Sequence, residues 1–191
     1  MDLTLTSAPA LTPLSVAEAK AHLRVTHADD DAYITTLVDV ATRHLDARHG
    51  TLNRALITQS WRLRIDEFPR CWPFAIELPW PPLQSVASVK YLDPDGVEQT
   101  LAGAEYTVEA SKFVGRILLG YGKSWPAIRC VPGAVRIEFT AGFGTAGADV
   151  PAPIRQAMLM FIAHLYETRS VDAEMPRAID ALVSPFRLLK I

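Results

Sequence analysis

Apolar residues recur at helical spacing near both ends of the chain and at alternating spacing in the stretch between. Ser15-Val16-Ala17-Glu18 has the form of a capping box, with Ala19 and Leu23 following at helical intervals, and predicts a short helix ending near Val25. Asp29, Asp30 and Asp31 put negative charge where a helix macrodipole favours it, and Ile34, Leu37, Val38, Ala41 and Leu45 then fall on one face until Gly50. Residues 14–50 are therefore expected to form an αα-hairpin. Its inner face is apolar, and Asp39, Arg43, Asp46 and Arg48 make its outer face polar.

From Leu56 to Phe143 the period moves towards two. Trp61, Leu63 and Ile65 alternate with Arg62, Arg64 and Asp66, and Val135, Ile137 and Phe139 alternate with Arg136, Glu138 and Thr140. Shorter strands are expected at Val86–Tyr91, Val97–Leu101, Tyr106–Val108 and Ile117–Leu119, with Asp93-Pro94-Asp95-Gly96 as a turn between the first two. Eight of the 14 prolines lie between Pro69 and Pro132. Proline cannot donate to a ladder, so 56–143 reads as a small antiparallel sheet with long connections rather than a buried parallel one.

Helical spacing returns after Asp149, Pro151 and Pro153. Ile154, Ala157, Met158, Phe161, Ile162 and Leu165 trace one apolar face as far as Arg169, and Leu159, Ala163 and Tyr166 trace a second. A helix with two apolar stripes needs cover on two sides, from its own domain or from another subunit. A last helix is expected over Met175–Val183, ended by Pro185, and helices thus occupy 151–183. The tail 184–191, ending Phe186-Arg187-Leu188-Leu189-Lys190-Ile191, is apolar and basic, and is expected to order against a partner surface. Internal repeats and low-complexity tracts are absent from the sequence.

With 191 residues, 49% hydrophobic and 21% charged, the chain is long and apolar enough for one domain, or one domain with an insertion, and is no disordered linker. The overall fold class is α+β. A formal charge of −2 argues against a sequence-independent coat on nucleic acid and against attraction to anionic lipid. Met1–Pro13 has neither a basic nor an apolar signal region, and the longest strongly apolar run, Ala157–Ala163, is far short of the ~20 residues of a span, so a soluble protein unprocessed at this end is expected. Cys71 and Cys130 stand outside any CxxC pattern and read as reduced core thiols.

Catalytic signatures are sparse. Gly142-Phe143-Gly144-Thr145-Ala146-Gly147 is a literal GxGxxG with Glu167 twenty residues further on, which invites a small-molecule or nucleotide-binding enzyme. Its surroundings lack alternating βαβ units, and Glu167 falls within the next helix, so a sharp strand-to-helix turn accounts for the glycines better. His44 and His49 lie about 140° apart around a helix and cannot chelate one metal from it. His27 beside Asp29–Asp31 fits a solvated helix start. GxSxG, HExxH, P-loop and Cys/His nucleophile patterns are missing, although an enzyme without a signature stays open. Trp61 with Arg62 and Arg64 resembles a base-stacking platform, but on a strand the tryptophan points away from both arginines.

The ordered segments together resemble the head-tail connector, or adaptor, family of tailed bacteriophages and phage-derived gene transfer agents. The segments are Pro13–Val25 followed by Asp29–Ile34, Val89–Asp93 with Gly96, Phe139–Gly144, Val150–Pro151 through Ala163–Arg169, and Ala181–Arg187. The resemblance implies one connector domain over 1–191: a helical, ring-forming body made of the N-terminal hairpin and the C-terminal helices, with an inserted antiparallel β-rich region. It implies a ring, commonly of twelve copies, docked beneath a portal and above a stopper or tail-completion protein. Double-stranded DNA would pass through without sequence-specific binding. It implies the neck of a virion or phage-like particle, assembled in the bacterial cytoplasm, and no reaction, cofactor, metal or membrane. The C-terminal segment Pro185, Phe186, Arg187, Leu188, Leu189, Lys190 and Ile191 would engage the portal, and the stripe Leu159, Ala163 and Tyr166 would meet neighbouring subunits. The small-molecule or nucleotide-binding enzyme using 142–147, and a stand-alone regulator, stay as alternatives.

Overall fold

Ser15 caps the first helix as its sequence requires. Its hydroxyl accepts from the Glu18 amide at 3.2 Å while the Glu18 carboxylate accepts from the Ser15 amide at 2.8 Å, and helix α1 (Val16–Leu23) follows. These contacts come from a computed structural model that describes residues 1–47, 50–71, 73–110, 113–169 and 175–188. Helix α2 (Asp31–Leu45) buries Ile34, Leu37, Val38, Ala41 and Leu45, the stripe expected from their spacing. Helix α3 (Ala152–Thr168) starts behind Pro151, and α4 (Arg177–Val183) starts behind Pro176. Their buried faces join one apolar core with the loop residues Leu52, Leu56 and Ile57. These elements make one compact unit, Pro9–Ile57 with Phe143–Ile191.

The second compact unit is Met1–Ala8 with Thr58–Gly142. Strands β1 (Asp2–Ser7), β2 (Gln59–Ile65), β4 (Leu83–Leu92), β5 (Glu98–Thr100) and β8 (Val135–Ala141) form an antiparallel sheet in the order β1-β2-β8-β4-β5. Strands β3 (Ala75–Leu78), β6 (Tyr106–Glu109) and β7 (Gly115–Leu119) form another, in the order β3-β7-β6. Trp61, Leu63, Val135, Ile137 and Phe139 are buried on the apolar face of the larger sheet. Gly115 backs so closely onto the Leu83 side chain that a Cβ there would overlap it.

Several expectations are corrected. The middle of the chain holds two antiparallel sheets instead of one. The β-rich unit also recruits Asp2–Ser7, whose alternating Leu3 and Leu5 pair with Leu63 and Trp61. A long-range pairing decides this, and 56–143 alone does not contain it. Asp46 is not a solvated outer residue: its Oδ1 accepts from the Leu56 amide at 2.7 Å and stitches the chain that leaves α2. Arg48 and His49 lie outside the described residues.

Candidate interaction site

The second stripe of α3 is already half used inside its own unit. Leu159, Ala163 and Tyr166 are all half-buried, and Leu159 and Tyr166 pack against the helical core. Tyr166 donates from its hydroxyl to Asp30 Oδ2 at 2.5 Å, and its ring lies 5.9 Å from that of Tyr33. The Arg169 guanidinium sits 5.5 Å from the Tyr33 ring centre and 5.8 Å from that of Tyr166. The hydrogen bond to Asp30 holds the Tyr166 phenol above its ordinary pKa of 10.0. Tyr166 thus packs against the start of α2, and the stripe keeps partly exposed edges.

The described part of the tail is laid against the same unit. Helix α4 runs into a 3-10 turn, Ser184–Phe186, and Phe186 packs on the core. The Leu188 amide donates to the Leu52 carbonyl at 2.9 Å, Asn53 Nδ2 donates to the Leu188 carbonyl at 2.8 Å, and Arg54 Nε donates to the Phe186 carbonyl. Arg187 pairs with Asp180 at 2.5 Å. Arg54 is only 7% exposed, and burial pushes its guanidinium below its usual pKa. The expectation that the tail orders only on docking is therefore corrected for Pro185, Phe186, Arg187 and Leu188. One main-chain bond and two side-chain donors of the loop after α2 already place this segment. Leu189, Lys190 and Ile191 lie outside the described residues. The loop 50–54 went unrecognised in the sequence, since nothing in Asn53-Arg54 announces a partner more than 130 residues away.

The glycine segment is filled by its own chain. Asp149 Oδ2 accepts from the Ala146 amide at 2.9 Å, and its carboxylate occupies the space a Gly144 Cβ would need. A carboxylate from within already satisfies an amide that a phosphate would seek, so the tight-turn account of these glycines holds. His27 lies 3.7 Å from Asp29 and 3.9 Å from Asp30 at an open helix start. His44 is half-buried against Phe161, with ring centres 5.1 Å apart, and burial lowers its pKa. No group of three or more His, Cys, Asp or Glu among the described residues is placed to hold a metal. No helix among them is long and apolar enough to cross a membrane.

In the β-rich unit both cysteines are free and exposed, which corrects their reading as core thiols. They sit on the proline-rich connections, where the chain turns outward. Trp61 is buried while Arg62 binds Glu138 at 2.6 Å and Arg64 is exposed, so no stacking platform forms. The same connections stack Phe68 on Trp125, with ring centres 4.6 Å apart and planes 3° from parallel, beside an open groove of about 550 Å³. The sequence reading had not singled out that pair.

No family model and no curated protein matches the chain. Solved particle structures do, along its whole length. The chain is 30% identical to a chain in the neck of an empty gene transfer agent (GTA) particle with C6 symmetry, covering 100% of this chain and 97% of that one at a TM-score of 0.80. A chain of the native GTA virion matches at 30% identity and a TM-score of 0.78, with the same coverage. A chain in the neck of a native GTA particle with C12 symmetry matches at 29% and 0.72, again over 100% and 97%. The fold is thus that of a structural component of phage-like particles, α+β with antiparallel sheets. The chain belongs to the head-tail connector, or adaptor, family of tailed bacteriophages and gene transfer agents.

Proposed function

We propose that this protein is the head-tail adaptor of a phage-like particle: a non-enzymatic ring subunit of the neck, docked beneath the portal, forming part of the DNA conduit to the tail. The whole-chain match to GTA neck structures carries this reading. The sixfold and twelvefold symmetry of those necks supports a closed ring of copies, with twelve as the expected number. Assembly takes place in the bacterial cytoplasm, and the ring hands double-stranded DNA to a stopper or tail-completion protein. A near-neutral subunit suits a duplex that must slide, since strong positive charge would hold it.

The helices form the ring body, and the partly exposed edge formed by Leu159, Ala163 and Tyr166 contributes to contacts between subunits. The tail from Pro185 to Ile191 engages the portal, and the loop 50–54 sets where its first four residues lie. Mixing the full chain with its portal and imaging by electron microscopy tests the role. Ring density on the portal is expected, and its absence overturns the reading. Deleting Leu188–Ile191, which leaves Phe186 on the core and its carbonyl for Arg54, is expected to give a folded protein that no longer joins the portal, and unchanged joining removes the tail from the proposal.

A further inference from the structure

One face of the larger sheet is apolar and buried, and the strand register settles what the other face carries. Strands β2 and β8 set Arg64 opposite Arg136, and β8 and β4 set Arg136 opposite Lys90, so three cations stand side by side across three neighbouring strands. The next row is Arg62, Glu138 and Ser88. Like charges directly opposite one another destabilise a sheet. Glu98 offsets part of the row, at 3.1 Å from Lys90 and 2.6 Å from Arg136, and Glu138 takes Arg62 at 2.6 Å. Arg64 is exposed and has no ion pair among the described residues, although Asp2 stands opposite it on β1. The face therefore keeps a small positive excess, laid out in a row, with one guanidinium free.

Arg62, Ser88, Lys90, Glu98, Arg136 and Glu138 line a cleft of about 150 Å³, in which Arg136 Nε and the Ser88 hydroxyl have no hydrogen-bond partner. Donors left this way lack an acceptor, and the oxygens of a phosphate group are strong ones. The hydrogen bond from Lys90, with Arg136 and Arg62 nearby, holds the Glu98 carboxyl below its ordinary pKa of 4.5, so positive potential reaches across the cleft. Strands lie about 4.8 Å apart, so the row from Arg64 to Lys90 spans roughly 10 Å. A duplex carries a phosphate about every 3.4 Å of rise along each strand, and a row of that length reaches about two or three of them. None of these side chains is aromatic, so the face offers contacts to phosphates and no platform for bases. We propose that this polar face meets the phosphate backbone of the passing duplex, with Arg64, Arg136 and Lys90 as a row of transient contacts that Glu98 and Glu138 keep weak. The inference rests on the DNA conduit proposed above. A phosphate that takes a cation displaces a carboxylate, and the carboxylate recovers the cation as the duplex moves on, so the row guides without holding.

The anisotropy of a short fluorescein-labelled duplex, titrated with the full chain at several low salt concentrations, tests this. Glu98→Gln with Glu138→Gln is expected to tighten binding about tenfold and to steepen the fall of affinity with salt by about two phosphate contacts. Adding Arg64→Gln, Arg136→Gln and Lys90→Gln is expected to return binding to the wild-type level or below. Asp39→Asn with Glu167→Gln, both exposed on the helical unit, makes the same change in net charge and is expected to stay within about twofold of wild type. No tightening, tightening that outlasts loss of the row, or tightening equal to that of the Asp39 and Glu167 control overturns the inference. A second measurement works in the assembled particle. Arg64→p-benzoylphenylalanine, irradiated in DNA-filled particles, is expected to give an adduct between this protein and DNA. An adduct with a neighbouring protein chain and none with DNA makes the face a protein interface, and the inference falls while the conduit stands. Failure of the unmodified chain to assemble on its portal instead overturns the conduit reading.

Discussion

The side-chain amide of Asn53 donates to the carbonyl oxygen of Leu188 at 2.8 Å, tying the loop after α2 to the tail. Asn53 holds this position with φ at +52°, a left-handed conformation that asparagine tolerates better than most residues. Asn53→Gly keeps the backbone free to adopt it and removes only the clasp. One neutral hydrogen bond contributes about 1 kcal/mol, so local opening of the tail should rise roughly fivefold. Timed trypsin digestion, read by mass spectrometry at the Arg187–Leu188 bond, checks this. An unchanged cleavage rate argues against the clasp.

The Ser15 capping box predicts both a stability loss and a pH dependence. Ser15→Ala should destabilise the helical unit by about 1 kcal/mol in urea unfolding. The bonds from Ser15, with Arg155 nearby, hold the Glu18 carboxyl below its ordinary pKa of 4.5. A lowered folded-state pKa means that the unfolded chain takes up the proton first. The advantage of the wild type over Glu18→Gln should be full above pH 4.5 and vanish as pH falls through the folded-state value. A difference that grows on acidification contradicts this assignment.

His44 gives the opposite residue type with the same sign. Burial against Phe161 keeps its imidazole neutral below the ordinary 6.5, so stability should decline as pH drops from 6.5 towards the folded-state pKa. In His44→Gln that part of the slope should disappear, as followed by thermal unfolding between pH 5 and 7.

Gly144 and Asp149 share one space. Gly144→Ala pushes the carboxylate off the Ala146 amide, and a cost of about 1–3 kcal/mol is expected. Asp149→Ala loses the same bond. The double variant should therefore cost clearly less than the sum. Additive effects, or stabilisation of the wild type by a nucleotide in a thermal-shift screen, return the glycine segment to the role of a ligand site.

Within the larger sheet, burial outweighs charge. Phe139, 1% exposed on β8 between Trp61 and Val86, should cost about 3–5 kcal/mol when replaced by alanine. The ion pair between Arg62 and Glu138 on the other face is 41% exposed on both sides, and Glu138→Gln should cost below about 1 kcal/mol. Denaturant titration of both variants separates the two contributions.

Local chemistry alone marked much of this protein. The capping box of Ser15 and Glu18, the buried stripe of α2, the prolines at the start of α3 and the alternation in β2 and β8 depend on neighbours a few residues apart, and such patterns survive any tertiary arrangement. The order of modest motifs also pointed to the connector family before the fold was known. Pairings between distant segments were beyond its reach. Leu3 and Leu5 alternate visibly, yet only their partners Leu63 and Trp61 make Asp2–Ser7 a strand of the β-rich unit. The tail looked unattached because the donors that hold it, Asn53 and Arg54, sit in a loop without a signature. Cys71 and Cys130 looked like core residues because thiols usually are, whereas proline-rich connections carried both to the surface. Hydrophobic period records which side of an element is buried, but the partner that buries it is chosen by contacts the chain makes only once folded.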